Sequence, residues 1–408
     1  MKIVILINPF VSPEYLSNKL KANNIYSIAL YSTNYENIDD YSKPRSDFFD
    51  KQIFMSEQQS LDDICNTLKT FNPDYIINGA EESTELTDRI SHKILPYFSN
   101  RMESSNLRFD KYLMQESLRK SGLPHISQIK TTPNQINFKE LSTWSYPLFI
   151  KPNQGYGSIN AFKINNINEL TTQVGQLQPA EEYLIQEFIY GIEYIVDTFS
   201  INKMHYLSNV MIYSKKIYNK NPLYRYADVV TNIKLVQQIE KFIFNVLDCL
   251  DFQNGMAHSE IIITETGEIK LIELNNRISG AKGFLIKAVQ AMGLSSHDEI
   301  MINHIKNARP YDSRSNISNY CDFLSQGYAR CVFLFNIKQE VYANDGALLR
   351  QLEVVKKIKF LKDVNSPVVN NISGLLDCSC MVLLYANDPH KVEAATDYLF
   401  SLENIEIN

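Results

Sequence analysis

Strand–helix alternation at the N-terminus, a strand-rich middle built around one helix, and a charged hairpin near residue 260 predict a multidomain chain mixing α/β and α+β architecture. At 408 residues the chain is too long for one small core and suggests two or three domains. Its hydrophobic fraction of 44% and charged fraction of 21% are those of a soluble globular protein that can bury them.

The first block carries the α/β part. Lys2 to Ile7 reads as a buried strand, Pro13 to Ala22 as a helix and Ile25 to Tyr31 as a second strand. The grammar repeats with a helix at Leu61 to Thr70, a strand at Asp74 to Asn78, a turn at Gly79 and a helix at Glu82 to Ile94. An open α/β domain over about residues 1–105 results. Its first turn, Asn8 to Pro13, lacks Gly-x-Gly-x-x-Gly and gives no support for a dinucleotide site.

Residues 106–305 change character. Phe109 to Ser121 has helical periodicity and stops at Gly122-Leu123-Pro124, a C-cap followed by a breaker. A flap subdomain at about 125–185 follows: an apolar strand ending in Lys151-Pro152, a Gly-containing loop, a strand at 160–164, a helix at 168–177 and a strand at 183–189. Two strands are expected in 194–213, a Pro-bearing loop around Tyr224, Arg225 and Tyr226, and a helix at 234–250. Strands at Gly327 to Phe335 and Met381 to Tyr385 mark a smaller C-terminal α+β domain over 306–408.

Charge and cysteine usage narrow the partners. A net charge of −6 gives no global attraction to nucleic acid or to an anionic membrane surface. Cys65, Cys249, Cys321, Cys331, Cys378 and Cys380 lack zinc-site spacing and read as free thiols in a reducing compartment. The apolar run at residues 3–7 ends at Asn8-Pro9, too short for a signal sequence or membrane span, so a cytoplasmic location is expected.

The window His258 to Arg277 carries the densest chemistry. Two apolar runs flank a Thr266-Gly267-Glu268 turn, and alternation puts Glu273, Asn275 and Arg277 on one face. Folding the hairpin at that turn brings Glu260 to within one residue of a position opposite Glu273. Like charges so placed repel unless a cation lies between them, and hard oxygen ligands suit magnesium carrying a nucleotide phosphate. Taken alone, the window fits the solvated face of an ordinary hairpin equally well. Lys151, at the end of a buried strand before Gly155, Gly157 and Ser158, forms a credible phosphate cradle, though its spacing fails the Walker pattern and an ordinary β-turn accounts for it too.

Taken in order, these segments resemble the ATP-grasp superfamily over about residues 1–305, and within it the L-amino-acid ligases. The resemblance implies an ATP-grasp fold: an N-terminal pre-ATP-grasp α/β domain, a two-lobed nucleotide-binding region and a small C-terminal α+β domain. It implies that Lys111 and Lys151 are the two nucleotide lysines and that Gly155, Gly157 and Ser158 belong to the mobile flap. Gln186, Glu187, Phe188 and Ile189 then form the adenine hinge, Glu193 takes the ribose hydroxyls, and Glu260, Glu273 and Asn275 are the metal ligands. Arg277 sits where members hold a carboxylate or acyl phosphate. The chain departs from the pattern at Gln186, where many members have glutamate, and at Asn160-Ala161 in the flap. The segment from Asn370 to Leu376 resembles the small closing domain of that group.

The implied activity is ATP-dependent carboxylate–amine ligation through an acyl phosphate, with ATP and Mg²⁺ (or Mn²⁺) as cofactors and small-molecule carboxylate and amine substrates. An amino acid is the expected substrate, nucleic acid and membrane are not expected partners, and a homodimer is left open. The alternatives are a carboxylase-like or acid–thiol ligase of the same fold, or a nucleotide-binding protein without turnover. Read singly, Lys111 is a solvated helix residue, Lys215 and Lys216 a solvated pair, and His258 an oriented structural group. Tyr224, Arg225 and Tyr226 read equally as a gate to the substrate pocket and as packing.

Overall fold

The computed structural model describes residues 1–32, 43–56, 58–153, 161–218, 221–307, 327–342, 346–363, 365–369, 372 and 374–405. Strands β1 (Lys2–Ile7), β2 (Ile25–Tyr31), β3 (Lys51–Phe54) and β4 (Tyr75–Asn78) form a parallel sheet in the order β3-β2-β1-β4. Helices α1 (Pro13–Ala22), α2 (Leu61–Lys69) and α3 (Thr84–Ile94) belong to the same unit. Along β1, Val4 and Leu6 enter one hydrophobic cluster while Ile5 and Ile7 enter another, so both faces are covered. That is why β1 is apolar without alternation.

Helix α4 (Lys111–Lys120) is capped by Asp110, whose side chain accepts from the Leu113 N–H at 2.9 Å. Strands β5 (Gln128–Thr131), β6 (Leu148–Pro152), β7 (Phe162–Ile164) and β8 (Tyr183–Glu187) then make a four-stranded antiparallel sheet in the order β5-β8-β6-β7. Short α5 (Phe138–Leu141) and α6 (Ile167–Val174) bury Leu141 and Leu170 in its core. The flap residues Gly155, Gly157 and Ser158 lie outside the described residues.

The third sheet has eight strands in the order β13-β12-β9-β10-β11-β14-β16-β15. Its members are β9 (Ile192–Ile201), β10 (Met204–Tyr218), β11 (Asn221–Val229), β12 (Gly255–Ile263), β13 (Ile269–Asn275), β14 (Tyr328–Leu334), β15 (Val355–Phe360) and β16 (Cys380–Ala386). Helix α7 (Ile233–Cys249) packs Val236, Ile239, Ile243 and Val246 into the main core, and α8 (Phe284–Ala291) adds Phe284, Leu285 and Ala288. Helix α9 (His297–Asn307) contributes Ile300 and Met301 to the cluster shared with the N-terminal unit. The segment after residue 306 joins this same sheet through β14, which pairs with β11 from Tyr226↔Val332 to Asp228↔Arg330.

The loop expected around Arg225 is a strand. Pro222 stands at its start, where a proline is tolerated, and Leu223, Arg225, Ala227 and Val229 alternate inward. Arg225 is 2% exposed and forms a bidentate pair with Glu403 at 3.2 and 2.5 Å, its guanidinium 3.9 Å from the Phe400 ring centroid. It packs between strand and C-terminal segment instead of gating a pocket. The five described cysteines are free thiols, and no helix among the described residues is long and apolar enough to cross a membrane.

Candidate active site

Adjacent strands bring charged residues from distant segments onto one face of the large sheet. The β12–β13 ladder pairs Glu260 directly with Glu273 and His258 with Asn275, with a bulge after Glu260. Such a bulge re-aims side chains locally. Glu273 lies 3.3 Å from the Lys111 ammonium and accepts from Asn275 Nδ2 at 3.2 Å. Burial alone would raise its pKa, but Lys111, then Lys151 and Asn275 outweigh it and hold the carboxyl below the ordinary range. Glu260 has no such pair: burial, Glu273 and Glu193 push its carboxyl up to about 8 against the pull of Lys215 and Arg277.

The two lysines are fixed relative to each other by a polar knot at the start of α4. Asn153, two residues beyond Lys151, donates to Asp110 Oδ2 at 3.1 Å and accepts from the Tyr112 N–H at 3.2 Å. The β6 terminus is thereby tied to the helix that carries Lys111. Lys151 is 8% exposed, and burial drives its ammonium down to about 8, with Lys111 adding to the fall while Glu273 and Glu260 resist it.

The hinge residues divide by role. Gln186 is buried, with Nε2 donating to Gln128 Oε1 at 3.0 Å. The Glu187 carboxylate accepts from the Ser127 N–H and from Lys270 Nζ, both at 2.9 Å. Gln186 thus ties two strands of the small sheet, and Glu187 joins that sheet to β13 of the large one. The Phe188 N–H donates to the Pro147 carbonyl at 3.2 Å, and its ring lies 4.9 Å from that of Tyr190 and 4.4 Å from Lys163 Nζ. Ile189 is half-buried in the connection to β9. Glu193 is on β9, 2.6 Å from Lys215 Nζ, with the Tyr224 hydroxyl at 3.5 Å.

Two charged residues at this face escaped the sequence reading. Lys215 is not a solvated lysine: it is half-buried, pairs with Glu193 and lies 4.1 Å from the Tyr224 ring centroid. Its neighbour Lys216 is exposed, as strand alternation requires. Glu81, from the N-terminal unit, contacts Arg277 through Nε at 2.7 Å and Nη2 at 2.5 Å. Burial would raise Glu81, yet Arg277 holds its carboxyl below the usual range. His258 behaves as an oriented group, its Nδ1 2.7 Å from Asp197 Oδ1, and Asp197 also accepts from Ser279 Oγ at 2.5 Å and from Asn209 Nδ2 at 3.1 Å.

Among the described residues, no group of three or more His, Cys, Asp and Glu side chains could hold a metal ion. Glu260, Glu273 and Asn275 supply oxygen donors only. Two carboxylates and one amide suit a hard cation that arrives with further oxygen ligands. The residues therefore fit Mg²⁺.

Residues 109–281 match the ATP-grasp domain family, and this segment is an ATP-grasp domain. Dapdiamide A synthase of Enterobacter agglomerans is 25% identical over 235 residues, covering 54% of each chain. A D-alanine–D-alanine ligase of Francisella philomiragia subsp. philomiragia is 24% identical over 181 residues, 43% of this chain and 59% of that one. The chain thus spans a little over half the length of these relatives. The crystal structure of an L-amino acid ligase from Bacillus licheniformis superimposes with a TM-score of 0.73 at 16% identity, covering 100% of this chain and 99% of that one, a likeness of fold.

Proposed function

We propose that this chain, with its ATP-grasp domain, is an ATP-dependent carboxylate–amine ligase that forms an amide or peptide bond and takes an amino acid as substrate. The observation that carries the reading is the convergence of Glu260, Glu273 and Asn275 with Lys111 and Lys151 on one sheet face. The similarity to dapdiamide A synthase and to D-alanine–D-alanine ligases supports the same class.

In this reading Glu260, Glu273 and Asn275 hold Mg²⁺, which when bound neutralises charge on the nucleotide phosphates. Lys111 and Lys151 supply point charges to the same phosphates. The chain from Gln186 to Ile189 meets adenine through its main chain, while Glu193 takes the ribose. Arg277 holds the acid substrate, whose planar carboxylate fits a guanidinium fork better than an ammonium. Attack by that carboxylate on the γ-phosphate gives an acyl phosphate and ADP. The amine then displaces phosphate and gives up a proton, so no covalent protein nucleophile is required.

The test is incubation with ATP, Mg²⁺ and a mixed amino-acid pool, followed by detection of ADP, phosphate and new amide masses. Formation of ADP together with a new amide supports the ligase. Amine-independent ADP formation with bicarbonate or a thiol moves the assignment to the related classes, and absence of ADP with every acid and amine makes the chain a nucleotide-binding protein.

A further inference from the structure

The carboxylate in contact with Arg277 comes from the N-terminal parallel sheet, not from the strands that carry the metal-binding candidates. Strand β4 ends at Asn78, and Gly79 then passes so close to the first turn that a Cβ there would lie 2.4 Å from Pro9 Cα. Only glycine allows that approach. It delivers a single 3₁₀ turn, Glu81–Ser83, held rigidly: Asn8 Nδ2 donates to Ser83 Oγ at 2.8 Å, and Thr87 Oγ1 donates to Asn78 Oδ1 at 2.8 Å.

The segment around Arg277 is bonded to the same unit on both sides. Asn78 Nδ2 donates to the Asn276 carbonyl at 2.6 Å, and Ser12 Oγ donates to the Ser279 carbonyl at 2.9 Å. Between these anchors, Glu81 accepts from Nε of Arg277 and forms an ion pair with Nη2, while Nη1 donates to the Ile278 carbonyl at 2.9 Å. A guanidinium has five N–H donors in a rigid plane. Two donate hydrogen bonds, Nε and one N–H of Nη1, and N–H groups remain on both terminal nitrogens.

We infer that Glu81 is a positioning residue for Arg277: it holds the guanidinium on its Nε side and leaves N–H groups of the terminal nitrogens to take the carboxylate of the acid substrate. The N-terminal unit thus completes the substrate site of the ATP-grasp domain. The inference rests on the role proposed for Arg277.

The experiment compares wild type, Glu81→Gln, Arg277→Lys and the double variant, reading kcat and KM for acid and ATP separately, with a thermal melt to compare folding. Glu81→Gln keeps shape and loses charge, so the acid KM should rise about 10- to 100-fold while the KM for ATP stays unchanged. The double variant should lose no more than Arg277→Lys alone, because Glu81 acts through that guanidinium. A raised acid KM in Arg277→Lys beside an unchanged one in Glu81→Gln, or additive losses in the double variant, overturns the inference and leaves the ligase reading standing. An acid KM that Arg277→Lys does not move removes the Arg277 role and this inference with it, and a wild-type chain without turnover fails the ligase reading itself. Glu81→Asp, charged but one methylene shorter, should lie between Glu81→Gln and wild type.

Discussion

Glu260 and Glu273 face each other as direct partners across the β12–β13 ladder, yet their carboxyls move in opposite directions, Glu260 up to about 8 and Glu273 below the ordinary range. Two carboxylates about 5 Å apart repel by about 3 kcal/mol at an effective dielectric of about 20. Lys111 and Lys151 relieve one side of that repulsion. Glu260 is left with the unrelieved share.

Metal-free protein should therefore lose stability as the pH rises. The Glu260 carboxyl is raised above its unfolded value, so its contribution is complete below the ordinary 4.5 and lost through about 8. Thermal melts between pH 5 and 8.5 should show a decline that Mg²⁺ reverses and that Glu260→Gln flattens. An equally steep decline in Glu260→Gln would assign the effect to other groups.

Glu273→Gln should leave the melt close to wild type and lower kcat by about 100-fold at ordinary Mg²⁺, the loss of about 3 kcal/mol of transition-state stabilisation. Steady-state ADP release measures it. Retained turnover would sink the metal assignment.

Nucleotide binding should take up protons near pH 8. The Lys151 ammonium is depressed to about 8, so roughly half of it is neutral at that pH, and phosphate oxygens at its Nζ favour the charged form. Titration calorimetry with ATP in buffers of different ionisation enthalpy should show an uptake approaching roughly half a proton. Lys151→Ala should remove the uptake and weaken ATP binding, and an unchanged affinity would reject its phosphate role.

Arg225→Met should destabilise the fold by about 3–5 kcal/mol, because it strands the buried Glu403 carboxylate, which also accepts from the Phe335 N–H at 2.7 Å. Urea unfolding reads this. A loss below about 1 kcal/mol with an altered substrate KM would instead place Arg225 at a gate.

The hairpin was legible to within one residue because a strand repeats every two positions and Gly267 fixes the turn, and the bulge after Glu260, which no residue pattern announces, makes Glu260 face Glu273 directly. Lys111 and Lys151 were legible through their order along the chain, and the structure brings both to the carboxylates. Lys215 hid beside Lys216, since adjacent charges read as solvated until strand alternation separates their faces. Glu81 had a faint signal: it follows the C-terminal end of a parallel strand, where α/β units place ligands, but its partner lies 196 residues away. Strand β11 was masked by Pro222, and edge strand β15 by three lysines in six residues, Val355-Lys-Lys-Ile-Lys-Phe360.

The register between β11 and β14 has a consequence for synthesis. Strands β9 to β13 emerge first, and one side of β11 then presents unpaired N–H and C=O groups until β14 has been made, about 100 residues later. A nascent or truncated chain ending at residue 306 would expose that edge as a template for intermolecular pairing. The last strands thus act as a lid on an aggregation-prone seam.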